Sequence, residues 1–362
     1  MARPGLRPKA ISHWFFPDRE MFVRRIWFNK TFSSVYSALL LIREADEEGD
    51  YRLICTSTNP HAPVFLVADE HAVEPAGLKG EAYLDWCLEF CRHQDIHIFV
   101  PGKEASLVSA AADRFAAQGT RVLMAASQEV LHLLHDKAAF YEAVADDAVP
   151  PAAFRRFTNL DEFDAAWAAL KPDHRKLCVK PSTSVYGLGF SVVDEKRSSA
   201  QLLLEGVEYH IGLTDLRRGL EELGSVRSML LMEYLDGHEY SVDCVADQGR
   251  LVCAIQRKKP LLAGRGQIID DLPVIHGASL RLVERFGLNG FINVQFREGQ
   301  NGLRLLEINP RMSGGIAMAC LAGPNLPWLA IRGFDLGFDG LRVPPIRAGL
   351  RVGEMPRALE WA

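Results

Sequence analysis

The spacing of hydrophobic and polar positions changes along the chain, and each change marks an element. Arg25 to Asn29 (RIWFN) reads as a short buried strand, and Val35, Leu39, Leu40 and Ile42 recur at helical spacing within Ser33 to Glu44. Tyr51 to Cys55, Ile96 to Val100 and Thr120 to Met124 read as further strands, with an apolar run at Val64 to Val67. Glu81 to His93 and Ala105 to Gln118 read as helices. Strands alternating with helices predict a doubly wound parallel sheet. Such sheets take ligands at the carboxyl ends of their strands, so Asn29-Lys30-Thr31 and Pro101-Gly102-Lys103-Glu104 are candidate contacts. Solvated loop lysines are the simpler account of Lys30 and Lys103. No GxGxxG follows the first strand, so a dinucleotide site is unsupported.

The pattern then loses its alternation. His132 to Ala152 reads as one helix with Lys137 near its start, closed by Pro150-Pro151, and a new unit begins there. Asp161 to Leu170 is helical, and Lys176 to Pro181 is an apolar strand carrying Lys180. A lysine inside a β run needs an anion partner or a route to solvent. The small residues Ser182 to Gly189 follow, in a hairpin leading into Phe190 to Val193. Their N–H groups and hydroxyls could close over phosphates, with a plain β-turn as the equal alternative. Gln201 to Gly224 gives helices, and Ser228 to Tyr234 is a buried strand. Ser241 to Val245 and Leu251 to Gln256 form a hairpin across Asp247-Gln248-Gly249-Arg250. Arg257, Lys258, Lys259, Arg265 and Gly266 make a cationic segment, for which solvent-facing charge is the equal alternative. Ala278 to Phe286 is helical.

Phe291 to Arg311 is a hairpin whose first strand alternates apolar and polar side chains, with Asn301-Gly302 as turn pair. A loop of about five residues would set Gln295 opposite Glu307. Side chains two apart on a strand share a face, so Glu307 and Asn309 point the same way. These hard oxygen ligands suit Mg²⁺, which completes its shell with waters and substrate phosphates. Pro310 ends the strand and Arg311 projects a cation beside the site. An ordinary hairpin with a polar face is the alternative.

Composition narrows the classes. A chain of 362 residues with 48% apolar content supports two or three domains. A net charge of −5 without a dense Lys/Arg block argues against a nucleic-acid groove. No apolar run approaches the roughly 20 residues that span a bilayer, so no membrane partner is expected. Trp14 to Phe16 is too short for a signal-peptide apolar region, and residues to about Pro17 read as a loose arm. The seven cysteines lack framework spacing, which fits a reducing cytoplasm. Cys87 and Cys91, a helical turn apart, read as core residues rather than zinc ligands.

The order of these features resembles the ATP-grasp superfamily, and among it the carboxylate-amine ligases with a carbamoyl-phosphate-synthetase-like ATP-grasp domain. The resemblance rests on Asp136-Lys137, Val179-Lys180-Pro181 with the loop to Gly189, Met232-Glu233-Tyr234-Leu235, Glu239 to Asp243, Asn293-Val294-Gln295 and Leu306 to Arg311. It implies an N-terminal doubly wound α/β domain over 18–127 and a two-lobed α+β ATP-grasp domain over 128–345. The small lobe would cover about 140–232 and the large lobe about 233–345. The cofactors implied are ATP and two Mg²⁺ ions, with Mn²⁺ as a substitute.

By the same resemblance, Lys137 and Lys180 contact ATP phosphates, and Ser182, Ser184, Gly187 and Gly189 belong to the mobile loop over them. Glu233, Tyr234 and Leu235 form the adenine hinge, and Glu239 holds the ribose. Gln295, Glu307 and Asn309 are the metal ligands. Arg311 stabilises the transferring phosphoryl group, and Arg257 and Arg265 sit toward the γ-phosphate or acceptor. Val185 and Tyr186 depart from the family's small-residue loop, leaving Tyr186 as a possible gate. The implied reaction phosphorylates a small-molecule carboxylate and passes the acyl group to an amine or thiol, with His276 as a candidate base and a structural histidine as its equal alternative. A small-molecule kinase and a nucleotide-binding regulator are the other readings, and a homodimer stays open.

Overall fold

Short strands buried on both faces, each followed by a helix, build the first sheet. The computed structural model describes residues 23–29, 33–183, 188–261, 266–355 and 360. The arm to Pro17, Lys30, Thr31, Ser184, Val185, Tyr186, Gly187 and Arg265 lie outside the described residues. In chain order come β1 (Arg24–Phe28), α1 (Ser33–Ala45), β2 (Tyr51–Ser57), β3 (Glu70–Val73), α2 (Gly80–His93), β4 (Ile98–Val100), α3 (Ala105–Ala110), α4 (Ala112–Ala116) and β5 (Arg121–Val122). The strands lie in the order β3-β2-β1-β4-β5 and every pairing is parallel. Ile26 and Phe28 pack toward α1, while Trp27 and Phe99 stack at 4.1 Å on the opposite face beneath α2. This is the doubly wound sheet that the alternation predicts. The single helix expected over 105–118 divides at Ala111, whose φ of −102° and ψ of 15° leave the helical range.

The helix expected over 132–152 is also divided, into α5 (Gln128–His135) and α6 (Lys137–Ala143). Asp136 causes the break. Its backbone is extended, and its side chain accepts from the N–H groups of Ala138 and Ala139, capping α6. Lys137 thereby becomes the first residue of a helix.

The second sheet is formed by β6 (Phe154–Phe157), β7 (Leu177–Pro181), β8 (Ser191–Asp194), β9 (His210–Gly212) and β10 (Met229–Glu233), in the order β6-β10-β7-β8-β9. Helices α7 (Leu160–Leu170), α8 (Ser199–Leu204) and α9 (Leu213–Leu223) connect its strands. Phe163, Leu170 and Leu220 cover one face with Val179 and Leu231. The other face, with Cys178, Leu230 and Met232, shares a core with the third sheet.

That third sheet is antiparallel, in the order β15-β14-β11-β12-β13-β16. Its strands are β11 (Glu239–Asp247), β12 (Arg250–Lys258), β13 (Gln267–Asp270), β14 (Gly290–Gly299), β15 (Gly302–Asn309) and β16 (Arg351–Val352). Helices α10 (Pro273–Arg285), α11 (Ile316–Cys320) and α12 (Leu326–Leu336) complete the chain. Gln248 and Gly249 both have positive φ, as a two-residue hairpin turn between β11 and β12 requires. Ala319, Ala330 and Ile331 of the last helices join Ile26 and Leu39 in one core, so the first sheet is fastened directly to the third.

Candidate active site

Register decides which side chains meet. Gly299 pairs with Gly302, so the β14–β15 loop has two residues rather than about five. Continued without interruption, that register would set Leu306 opposite Gln295. A bulge between Gln295 and Phe296 makes Leu306 the extra residue and brings Glu307 to Gln295 after all. The bulge also aims the Leu306 carbonyl at α6, where it accepts from the Tyr141 hydroxyl at 2.6 Å. The Tyr141 oxygen in turn accepts from Lys180 Nζ at 2.9 Å.

Glu307 is the centre of a loosely tied charge cluster. Lys137 Nζ lies 3.6 Å from its Oε2, and Asn309 Nδ2 donates to its Oε1 at 2.8 Å. Arg311 Nη2 donates to Asn309 Oδ1 at 3.3 Å. Burial opposes ionisation of Glu307, but Lys137, the Asn309 amide, Lys180 and Arg311 together hold it below the usual carboxylate range. Burial also pushes both lysines down; Glu307 partly offsets this at Lys137, and Cys178 and Glu307 partly offset it at Lys180. Two desolvated ammonium groups sharing one carboxylate favour the arrival of further negative charge. The donor set of one carboxylate and two amides fits Mg²⁺ that shares its shell with phosphates. Among the described residues no group of three His, Cys, Asp or Glu offers another metal site.

The loop candidates have a different character. Ser182 donates through Oγ to the carbonyl of Ser228 at 2.8 Å, and the two serine hydroxyls lie 2.5 Å apart. Its own carbonyl accepts from the Lys137 N–H at 2.9 Å, linking the segments that carry the two lysines. Gly189 has a φ of +80°, and a Cβ there would lie 2.9 Å from the Pro181 ring, so glycine is required for chain geometry.

At the end of β10, the N–H of Glu233 donates to Ala153 and that of Tyr234 to Lys176, while Leu235 is buried. The Glu233 carboxylate is buried without a hydrogen bond, between Arg304 Nε at 3.5 Å and His174 Nδ1 at 3.9 Å. Glu239, at the start of β11, is paired with Lys259. His276 is exposed on α10, and no described side-chain hydrogen bond joins it to the Glu307 cluster.

Arg257 departs from expectation. It belongs neither to a solvent-facing segment nor to the Glu307 cluster, because its side chain is only 2% exposed and its donors are occupied. Nε donates to Asp243 at 2.8 Å, Nη2 to Ser241 and Ser313, and Nη1 to Gln267. Asn293 closes the network by donating to Ser241 and Asp243, and Gln295 donates to Asn293 at 3.1 Å. Arg257 thus fastens the segment after Arg311 from below. Gly315 allows this approach, since a Cβ there would lie 2.4 Å from Arg257 Nη1.

The contacts of Tyr141, Asp243 and Asn293 were missed in the sequence. For Asp243 the turn alone misleads: continued from Gln248-Gly249 it would set Tyr240 opposite Arg257, and a register shift between Val245 and Ala246 brings Ser241 there instead, with Asp243 on the same face as Ser241. At the strand ends of the first sheet, Asn29 and Lys103 are internally bound. Asn29 accepts from the N–H groups of Gly102 and Lys103, and Lys103 Nζ pairs with buried Glu74 at 2.9 Å.

A family model described as ATP-grasp in the biosynthetic pathway with Ter operon matches residues 225–358. Carnosine synthase 1 of Gallus gallus is 36% identical over 124 residues, covering 30% of this chain and 13% of that protein. The arginine-specific carbamoyl phosphate synthase large chain of Geobacillus stearothermophilus is 23% identical over 297 residues, covering 78% of this chain and 25% of that protein. This chain therefore spans a quarter or less of the length of these relatives. Among solved structures, the biotin carboxylase domain dimer of the Hydrogenobacter thermophilus 2-oxoglutarate carboxylase, in complex with MgADP, ADP and bicarbonate, superposes with a TM-score of 0.60. It is 15% identical, and the match covers 91% of this chain and 73% of that one. The fold, an N-terminal parallel sheet followed by two further sheets, is the ATP-grasp fold. The ATP-grasp family model matches the carboxyl-terminal part of that fold, residues 225–358.

Proposed function

We propose that the chain is an ATP-dependent ligase that activates a small-molecule carboxylate as an acylphosphate and transfers it to an amine, releasing ADP and phosphate. The observation that carries this reading is the Glu307 cluster, where Lys137, Lys180 and Arg311 converge on one carboxylate. Residues 128–345 would be the ATP-grasp unit, with Lys137 and Lys180 on the phosphates. Glu233 to Leu235 would line the adenine end, and Glu239 would reach the ribose on release from Lys259. Gln295, Glu307 and Asn309 would hold Mg²⁺, in two ions, with Mn²⁺ as a substitute. The metal supplies charge neutralisation on the phosphoryl oxygens. The chain itself positions the reactants, screens them from water and offers Arg311 to the transferring group. Ser182 would act through the Lys137 backbone and Arg257 through Ser313, as positioning residues rather than phosphate contacts.

A reducing, cytoplasmic setting fits the buried free cysteines, and no described helix is long and apolar enough to cross a membrane. Incubation of paired acids and amines with ATP-Mg²⁺ tests the reaction. Ligation predicts amide, ADP and phosphate in equal amounts, each requiring both substrates. A stable phosphorylated acid formed without amine dependence would identify a kinase instead.

A further inference from the structure

Where the first sheet meets the end of the β14–β15 hairpin lies a small, partly open cleft. Its position follows from topology, since β1 and β4 are where the strand order of a doubly wound sheet reverses. Phe28 and Val100 end those strands, Val35 comes from α1, and Leu123, Phe291 and Met312 close the other side. All six are at most 8% exposed. Arg311 stands in the wall, in contact with the Asn309 that binds Glu307.

The chemistry of this wall is one-sided. Arg311 is the one charged side chain among the described lining residues, and no carboxylate is among them. Asn29 and Lys103, which border the same strand ends, are turned onto Gly102 and Glu74. Among the described lining residues an ammonium or a second carboxylate would find no charged partner besides Arg311 and would lose water, whereas a hydrocarbon body would gain from burial.

We propose that this cleft selects the acid substrate as a monocarboxylate with an apolar body, its carboxylate at Arg311 and its hydrocarbon among Phe28, Val35, Leu123 and Met312. The inference rests on the ligase reading and adds the substrate class to it. In the first step a carboxylate oxygen attacks the γ-phosphorus, the bond to the β-phosphate oxygen breaks, and ADP leaves with that electron pair. Hydroxylamine can replace the unknown amine. Its nitrogen attacks the acyl carbon, phosphate leaves, the nitrogen's proton passes to water, and a hydroxamate remains.

Hydroxamate formation is therefore measured with ATP-Mg²⁺ and hydroxylamine across 3-phenylpropionate, 4-methylpentanoate, succinate, glycerate and β-alanine. The two apolar acids should exceed the other three in kcat/KM by about tenfold or more. Val35→Phe and Leu123→Phe, which narrow the cleft from opposite sides, should raise the KM for 3-phenylpropionate about tenfold, with retained binding of ATP-Mg²⁺ alone reporting that each variant is folded. Equal or better turnover of succinate, glycerate or β-alanine would overturn the substrate class and leave ligation standing. Unchanged KM in both folded variants would overturn the cleft assignment. Hydroxamate from none of the acids, with ATP-Mg²⁺ still bound, would overturn the ligase reading and this inference with it.

Discussion

Two charge clusters are built on the third sheet, and they are opposites in their degree of closure. Around Arg257, Asp243, Ser241, Ser313 and Gln267 each accept a hydrogen bond, and both members of the ion pair are 2% exposed. Around Glu307, Lys137 stands at 3.6 Å, Lys180 is held by a tyrosine hydroxyl, and the carboxylate is 30% exposed. A closed network fixes a shape and has no donor to give. An open one, with its lysines pushed below their usual range by burial, gains from an incoming polyanion. The first cluster supports the second, through Asn293 to Gln295 and through Ser313 to the segment after Arg311.

The largest expected separation comes from Glu307→Gln. ATP turnover should fall by roughly 10³-fold, while the melting temperature stays close to that of the parent, because this carboxylate is partly solvated. Near-normal turnover would remove it from the site. Arg257→Met should do the reverse. Breaking a buried pair costs about 3–5 kcal/mol, to be read as a lower urea midpoint, while the folded fraction keeps its affinity for ATP-Mg²⁺. A fully stable variant would place Arg257 outside the scaffold.

A pH series gives a smaller effect of definite sign. Phosphates beside Lys137 and Lys180 would raise lysine pKa values that are depressed in the free protein. Their contribution to ATP binding is full below the free-state values and is lost as pH rises through the bound-state values. Calorimetry in buffers of different ionisation enthalpy should therefore detect proton uptake on binding under alkaline conditions; proton release there would contradict the assignment. Smallest of all, Tyr141→Phe removes one hydroxyl between Lys180 and the bulge. It should weaken ATP binding by about 1 kcal/mol, a few-fold in Kd; no change would make the tyrosine simple filling.

The same contrast explains what could be read in the sequence. The alternating strands and helices of the first sheet follow from local period, whereas the turn residues alone would set Leu306, not Glu307, opposite Gln295. The pairing was expected for an incomplete reason, since the bulge at Leu306 has no local signature. Short strands at or next to the sheet edges escaped as well. β3, β6, β9, β13 and β16 have two to four residues each, and tertiary pairing rather than period makes them strands. Asp136 did carry a visible capping signal ahead of Lys137, which the continuous apolar pattern across it obscured. Burial was the least legible property. Nothing in RKK distinguishes Arg257, sealed under Ser313, from its half-exposed lysine neighbours.

The central claim is that Lys137, Lys180 and Glu307 form the phosphate end of an ATP site, and Lys180→Ala tests it most directly. Titration of ATP-Mg²⁺ into parent and variant should show Kd rising by roughly 10- to 100-fold, the value of a charge-assisted hydrogen bond, with the fold retained. An unchanged Kd in a folded variant would contradict the account.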